Sequence, residues 1–72
     1  MKSVCIIDDD PEVRDTIGSL TRKMRLTSDA AGTLEAGMDL LARERFDVVF
    51  LDVRLPDGNG LAALPAIKRL PA

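Results

Sequence analysis

The chain has 72 residues, of which 46% are hydrophobic and 31% charged, a composition typical of one small globular domain. Ten basic and twelve acidic side chains give a net charge of -2, which provides no electrostatic basis for binding nucleic acid or an anionic membrane surface. The sequence shows no apolar run long enough to span a bilayer and no signal-peptide pattern, so we expect a cytoplasmic location.

The first predicted element is a buried strand, Ser3-Val4-Cys5-Ile6-Ile7, because the segment is short, apolar and rich in β-branched residues. Its cysteine is the only one in the chain, which excludes a disulfide framework and favours a buried thiol in a reducing compartment. Three aspartates follow. Asp10 directly before Pro11 predicts the start of a helix, with Asp10 as its N-cap.

The next predicted elements are a helix, an edge strand and a second helix. The first helix runs from Pro11 to about Met24, and residues 26–31 are more polar, as expected of a short strand at the edge of a sheet. Thr33 is a plausible N-cap for the second helix, which ends near Arg45. Each helix has one apolar stripe for packing on a sheet: Val13, Ile17, Leu20 and Met24 in the first, and Leu34, Met38 and Leu41 in the second. Met24 and Met38 are interpreted as core residues.

A third strand is predicted at Phe46–Asp52. Its four consecutive apolar residues, 48–51, have neither helical nor alternating periodicity, which is typical of a strand buried on both faces of a parallel sheet. Residues 53–60 are rich in turn formers, and the spacing of apolar residues from Leu61 to Leu70 favours a third helix rather than a hairpin at Asn59-Gly60. Pro65 either kinks that helix or begins its regular part.

Acidic residues stand at the ends of two predicted central strands. The carboxyl ends of parallel strands meet at one edge of a sheet, so Asp8, Asp9 and Asp52 converge if the two strands are neighbours. At ~4 Å and an effective dielectric of ~20, each like-charged pair costs on the order of 4 kcal/mol, which demands a shared proton or a cation. Oxygen-only ligands favour Mg²⁺, which would leave Asp52 as a nucleophile for phosphoryl transfer.

Simpler interpretations apply to several of these residues. Asp8-Asp9 taken alone fits a solvated cap cluster as well as a metal site. Asp10 is better explained as a cap and Asp57 as a turn residue, while Arg54 is most simply a solvated loop residue. The joint placement of the aspartates at two strand exits favours a functional site.

Two stretches, VCIIDDDPEVR at 4–14 and DVVFLDVRLPDGNGL at 47–61, resemble the two opening motifs of the receiver domain of two-component response regulators. The resemblance covers the whole chain and implies a flavodoxin-like α/β fold with strand order 2-1-3-4-5. By this likeness, Asp52 accepts a phosphoryl group from a sensor histidine kinase. Asp9 would bind Mg²⁺ directly and Asp8 through water, and the backbone carbonyl of Arg54 would complete the protein ligands.

The resemblance also implies that residues 1–72 are a partial receiver domain with about three strands and three helices, in strand order 2-1-3. A complete receiver has a fourth strand ending in Thr or Ser and a fifth ending in Lys, and this chain matches neither. The domain is therefore expected to catalyse at most its own phosphorylation and dephosphorylation, and not to be an enzyme in the usual sense. Residues 54–61 resemble regulators that carry an AAA+ ATPase and a DNA-binding helix-turn-helix, which suggests a transcriptional activator as parent.

The leading hypothesis is therefore a phospho-acceptor module of a two-component phosphorelay that uses Mg²⁺. The alternative is a phosphorylation-independent interaction module that pairs its exposed third strand with another chain, and self-association through that strand or through exposed helix faces is expected. A phosphatase-type enzyme is a weaker option, because Asp52-Val53-Arg54 lacks a second acid two residues on.

Overall fold

The first three strands alternate with two helices along the chain, and these three strands form one parallel sheet. The order is β1 (Ser3–Ile7), α1 (Pro11–Lys23), β2 (Thr27–Ala31), α2 (Leu34–Arg43) and β3 (Val48–Leu51). The computed structural model describes residues 2–60, so the third helix predicted from Leu61 to Leu70 lies outside the described residues. The sheet order is β2-β1-β3 and both pairings are parallel, which confirms the predicted order 2-1-3.

The central strand β1 brings the ends of its two neighbours into line. Its last residue, Ile7, lies opposite Ala31 of β2 and Leu51 of β3. The residues that follow β1 and β3 therefore leave the sheet side by side, at the same edge.

Both predicted helix N-caps are confirmed. The Asp10 carboxylate accepts from the Glu12 N–H at 2.9 Å, and the Thr33 hydroxyl accepts from the Ala36 N–H at 3.1 Å. These side chains satisfy backbone donors that have no partner within the helix. α2 is two residues shorter than predicted and ends at Arg43, since Glu44 has extended backbone dihedrals.

One cluster of buried core residues lies between the sheet and α2, and Val4 and Ile6 are buried on the other face of the sheet. Cys5, Ile7 and Leu41 form the centre of the cluster, and partly buried apolar residues pack around them: Met38, Leu40, Phe46, Val49, Leu51 and Leu55. Gly37 lets α2 approach the sheet closely, because a Cβ there would lie 2.5 Å from the Ile7 Cδ1. The core role expected for Met38 is confirmed.

The opposite face of the sheet is less covered than the sequence predicted. Val48 is 53% exposed and Phe50 46% exposed, so the prediction that β3 is buried on both faces is wrong. In the parallel register these two residues lie beside Val4 and Ile6, on the face that carries α1. α1 packs against β1 and β2, and this position leaves the outer face of β3 open.

The apolar stripe predicted for α1 is partly wrong. Gly18 and Thr21 are the buried residues of this helix, whereas Leu20 is 53% and Met24 68% exposed. The core role expected for Met24 is therefore wrong. Val13 and Ile17 of the predicted stripe are half-buried, so the buried surface of α1 combines small residues with only part of that stripe.

A small hairpin follows β3 in the segment predicted as a turn. Its strands are β4 (Arg54–Leu55) and β5 (Gly58–Asn59), which pair antiparallel around Pro56-Asp57. These two strands are only two residues long and were not predicted from the sequence pattern. Among residues 2–60, no helix is long and apolar enough to cross a membrane.

Candidate metal centre

The structure brings together the three carboxylates that the sequence analysis singled out. Asp8 and Asp9 follow β1, and Asp52 follows β3. One carboxylate oxygen from each of the three lies within 4.8 Å of the others. The parallel pairing of β1 with β3 produces this cluster from residues far apart in the sequence.

Backbone hydrogen bonds hold Asp8 in place. Its N–H donates to the Ala31 carbonyl at 3.0 Å, and its own carbonyl accepts from Arg14 Nη1 at 2.8 Å. The Asp8 carboxylate is buried, with 7% of the residue exposed, and one of its oxygens accepts from the Asp10 N–H at 2.9 Å. The neighbouring Asp9 is exposed.

Asp52 is fixed by the sheet and by the residue two positions later. Its N–H donates to the Ile7 carbonyl at 2.8 Å, continuing the ladder between β1 and β3. Its Oδ1 accepts from the Arg54 N–H at 3.1 Å. The side chain is half-buried, so it remains within reach of solvent and of an incoming group.

Gly60 closes the loop that leaves Asp52. Its N–H donates to the Val53 carbonyl at 2.8 Å, and a Cβ at this position would collide with the carbonyl oxygen of Asp52. A glycine is therefore required here by close approach of two backbone segments, and its φ is not positive.

The donor set fits a hard divalent cation. Mg²⁺ binds oxygen ligands octahedrally at about 2.0–2.1 Å, which places neighbouring ligands about 3 Å and opposite ligands about 4 Å apart. One carboxylate oxygen from each of Asp8, Asp9 and Asp52 lies within 4.8 Å of the others, close to the spacing of opposite ligands. The cluster therefore offers the oxygen donors that Mg²⁺ prefers.

Comparison with known proteins agrees with this geometry. Residues 4–72 match the family described as the response regulator receiver domain. The chain belongs to this family. The receiver is 38% identical over 64 residues to the response regulator protein PilR of Pseudomonas aeruginosa, and 37% identical over 70 residues to the transcriptional regulatory protein AfsQ1 of Streptomyces coelicolor. These matches cover 89% and 96% of the receiver, but only 14% of PilR and 31% of AfsQ1.

A likeness to solved structures confirms the predicted flavodoxin-like class of fold. The receiver superimposes on the response regulator TrrA of Thermotoga maritima, solved in complex with Mg²⁺-BeF, with a TM-score of 0.90 and 25% identity. The match covers 96% of the receiver and 60% of the TrrA chain. TrrA has also been solved in complex with the histidine kinase ThkA, and that structure matches with a TM-score of 0.88 and the same identity and coverage.

Asp57 does more than the predicted turn residue would. Its carboxylate accepts from the Leu34 N–H at 2.7 Å and from the Glu35 N–H at 2.9 Å, at the start of α2. These hydrogen bonds lower the pKa of Asp57 below its ordinary value, and the one from Glu35 has the larger effect. The partners lie 22 and 23 residues earlier in the chain, so no local pattern identifies them.

Cys5 has no part in the site. It is completely buried, and burial, followed by the negative charges of Asp29 and Glu44, raises the pKa of its thiol to about 11. A thiol of this kind is protonated and shielded at neutral pH. The predicted buried cysteine is confirmed.

Proposed function

We propose that the receiver accepts a phosphoryl group on Asp52 with Mg²⁺ held beside it. The observation that carries this proposal is the convergence of Asp8, Asp9 and Asp52 at one edge of the sheet in a member of the receiver family. Asp9 and Asp52 would supply carboxylate oxygens to the ion, Asp8 would bind it through water, and the backbone carbonyl of Arg54 would complete the protein ligands. Bound Mg²⁺ would neutralise negative charge on the transferred group.

In this reaction, a carboxylate oxygen of Asp52 forms a bond to phosphorus while the bond from phosphorus to the leaving group breaks. The product is an acyl phosphate on Asp52, and the electron pair of the broken bond leaves with the donor. The sheet holds Asp52 in position through the Ile7 carbonyl. Less conformational entropy of Asp52 is then lost when its carboxylate oxygen aligns with the phosphorus atom and the leaving group.

We propose a sensor histidine kinase as the natural donor. Support comes from TrrA, which was solved in complex with the histidine kinase ThkA.

The name of AfsQ1 supports a role in transcriptional regulation for the parent protein. We place the reaction in the cytoplasm, where a buried free thiol such as Cys5 stays reduced.

The span of the match supports a partial receiver domain. The match covers 96% of this chain but only 60% of the TrrA chain. We propose that the Thr or Ser and the Lys that contact the phosphoryl group belong to the part of a receiver that this match does not cover. Self-phosphorylation and dephosphorylation are then the only reactions that we assign to this domain.

Mass spectrometry of the intact chain tests the acceptor. With acetyl phosphate and Mg²⁺, we expect an adduct of about 80 Da, one HPO₃ unit, that is absent from Asp52→Asn. Asp39→Asn is a matched control, since Asp39 is an exposed aspartate on α2, and it should keep the adduct. An adduct that persists in Asp52→Asn, or no adduct on the wild-type chain, would contradict the proposal.

A second candidate function is phosphorylation-independent association with another chain. The exposed Val48 and Phe50 on β3 favour it, because they form an apolar surface beside a strand edge. This function would survive the loss of Asp52, so the Asp52→Asn variant separates the two candidates.

A further inference from the structure

The Asp57 carboxylate joins the hairpin after β3 to the start of α2. Both of its oxygens accept N–H groups, at 2.7 Å from Leu34 and at 2.9 Å from Glu35. These donors belong to the first turn of the helix, where N–H groups lack partners within the helix, and a carboxylate there also interacts favourably with the helix dipole. The contact is therefore a two-point, charge-assisted tether.

The tethered hairpin contains the peptide group proposed as a metal ligand. Arg54 pairs with Asn59 and Leu55 pairs with Gly58, so Asp57 lies at the tip and Arg54 at the base. The Leu55 side chain packs against the core. The position of the Arg54 peptide group thus depends on a short hairpin with only two residue pairs, and the Asp57 tether limits its motion.

The carboxylates of the site do not depend on this hairpin in the same way. Asp52 donates its N–H to Ile7 of β1, and Asp8 donates its N–H to Ala31 of β2. Both residues are therefore positioned by the parallel sheet. A looser hairpin would displace the Arg54 carbonyl and weaken the hydrogen bond from the Arg54 N–H to Asp52 Oδ1, while the Asp52 backbone keeps its place in the sheet.

We propose that Asp57 is a positioning residue that holds the Arg54 backbone carbonyl at the Mg²⁺ site by tethering the hairpin to the N-terminus of α2. The inference rests on the proposed function, and it assigns Asp57 an indirect role. Groups that orient metal ligands contribute measurably to affinity even though they do not touch the ion.

Titration calorimetry with MgCl₂ tests the role on the full chain. Asp57→Asn removes the charge and one acceptor oxygen, and we expect its dissociation constant for Mg²⁺ to rise on the order of tenfold. Thr33→Ala is the matched control, because it deletes the hydroxyl that caps the Ala36 N–H of the same helix without touching the hairpin. The dissociation constant of Thr33→Ala for Mg²⁺ should stay within about twofold of wild type, because Thr33 caps the helix and is not part of the Asp57 tether.

Phosphorylation kinetics provide a second readout. In Asp57→Asn the Mg²⁺ concentration for half-maximal rate should rise, while the rate at saturating Mg²⁺ should change by a smaller factor, because the Asp52 backbone is still held by Ile7 and only the hydrogen bond from the Arg54 N–H is weakened. A residue that only stabilised the fold would not separate these two quantities. Asp57→Ser retains one acceptor, provides a second variant if Asp57→Asn does not fold, and should show a rise of the same sign.

The outcomes distinguish this inference from the function on which it rests. A folded Asp57→Asn or Asp57→Ser variant with wild-type Mg²⁺ affinity would overturn the inference and leave the acceptor role intact. An equal loss of affinity in Thr33→Ala would assign the effect to the stability of α2 and would also overturn it. A wild-type chain that binds no Mg²⁺ would overturn both.

Discussion

Asp8, Asp10 and Asp57 all lie next to turns, yet their carboxylates have different partners. Asp10 caps the helix that begins at the next residue, and its position before Pro11 makes this readable from the sequence. Asp8 is buried and accepts from the Asp10 N–H, so its carboxylate stabilises the turn between β1 and α1 as well as contributing to the metal centre. Asp57 caps a helix that precedes it in the chain, which only the folded structure reveals.

Asp57 should make the stability of the chain depend on pH. The N–H groups of Glu35 and Leu34 hold the pKa of the Asp57 carboxyl below its ordinary value of 3.8. The folded chain therefore binds this proton less readily than the unfolded chain does. The stabilisation is present in full above the unfolded pKa, and it is lost as the pH falls through the lowered folded pKa.

Urea unfolding followed by circular dichroism measures this effect. We expect Asp57→Asn to be less stable than wild type at about pH 6, and the difference to shrink as the pH falls from about 4 to about 2, because protonated Asp and Asn are alike in charge. A difference that stayed constant over this range would show that the charge of Asp57 contributes nothing to the tether.

At the scale of the elements, α1 and α2 pack on the sheet in different ways. α2 packs with apolar side chains, and Leu41 is 6% exposed. α1 packs with Gly18 and Thr21, while Leu20 on the same helix is 53% exposed. Hydrophobic periodicity identifies both helices, but it does not determine which side of a helix meets a given sheet surface.

Alanine substitutions test this difference between the helices. Leu41→Ala should lower the free energy of unfolding by about 2–4 kcal/mol, because it removes buried apolar contacts and leaves a cavity. Leu20→Ala should change it by about 0.5 kcal/mol or less, as expected for an exposed position. Urea denaturation of both variants provides the measurement, and equal losses would mean that Leu20 is buried in solution.

At the scale of the whole molecule, the outer side of β3 is the surface most suited to association with another chain. β3 pairs with β1, and within residues 2–60 no strand pairs with its other edge. Val48 and Phe50 beside that edge are 53% and 46% exposed. An apolar strand with an open edge is a template for pairing with another chain.

We expect the wild-type chain to self-associate, with a sedimentation coefficient that rises with concentration. Phe50→Lys should weaken this association, because it places a charge on the exposed apolar face. Ala42→Lys adds the same charge at an exposed position on α2 and should leave the association unchanged. A wild-type chain that sediments as a monomer at every concentration would contradict the prediction.

Much of the fold and of the candidate site can be predicted from local patterns in the sequence. The β-branched run at Ser3–Ile7, the Asp10-Pro11 cap and the Thr33 cap mark elements whose causes lie within a few residues. The motifs around Asp8-Asp9 and Asp52 identify the family, and the parallel order then follows. What local patterns miss is contact between distant segments.

By itself, the sequence determined the order of the first three strands and the two helices between them, both helix caps and the identity of the acidic residues, because these depend on propensities and spacings within a few positions. Only the tertiary structure decided that Asp57 caps α2, that Gly18 and Thr21 rather than Leu20 face the sheet, and that Phe50 remains exposed. Each of these depends on where one element lies on another. That arrangement is set by packing of the whole sheet, which no single segment encodes.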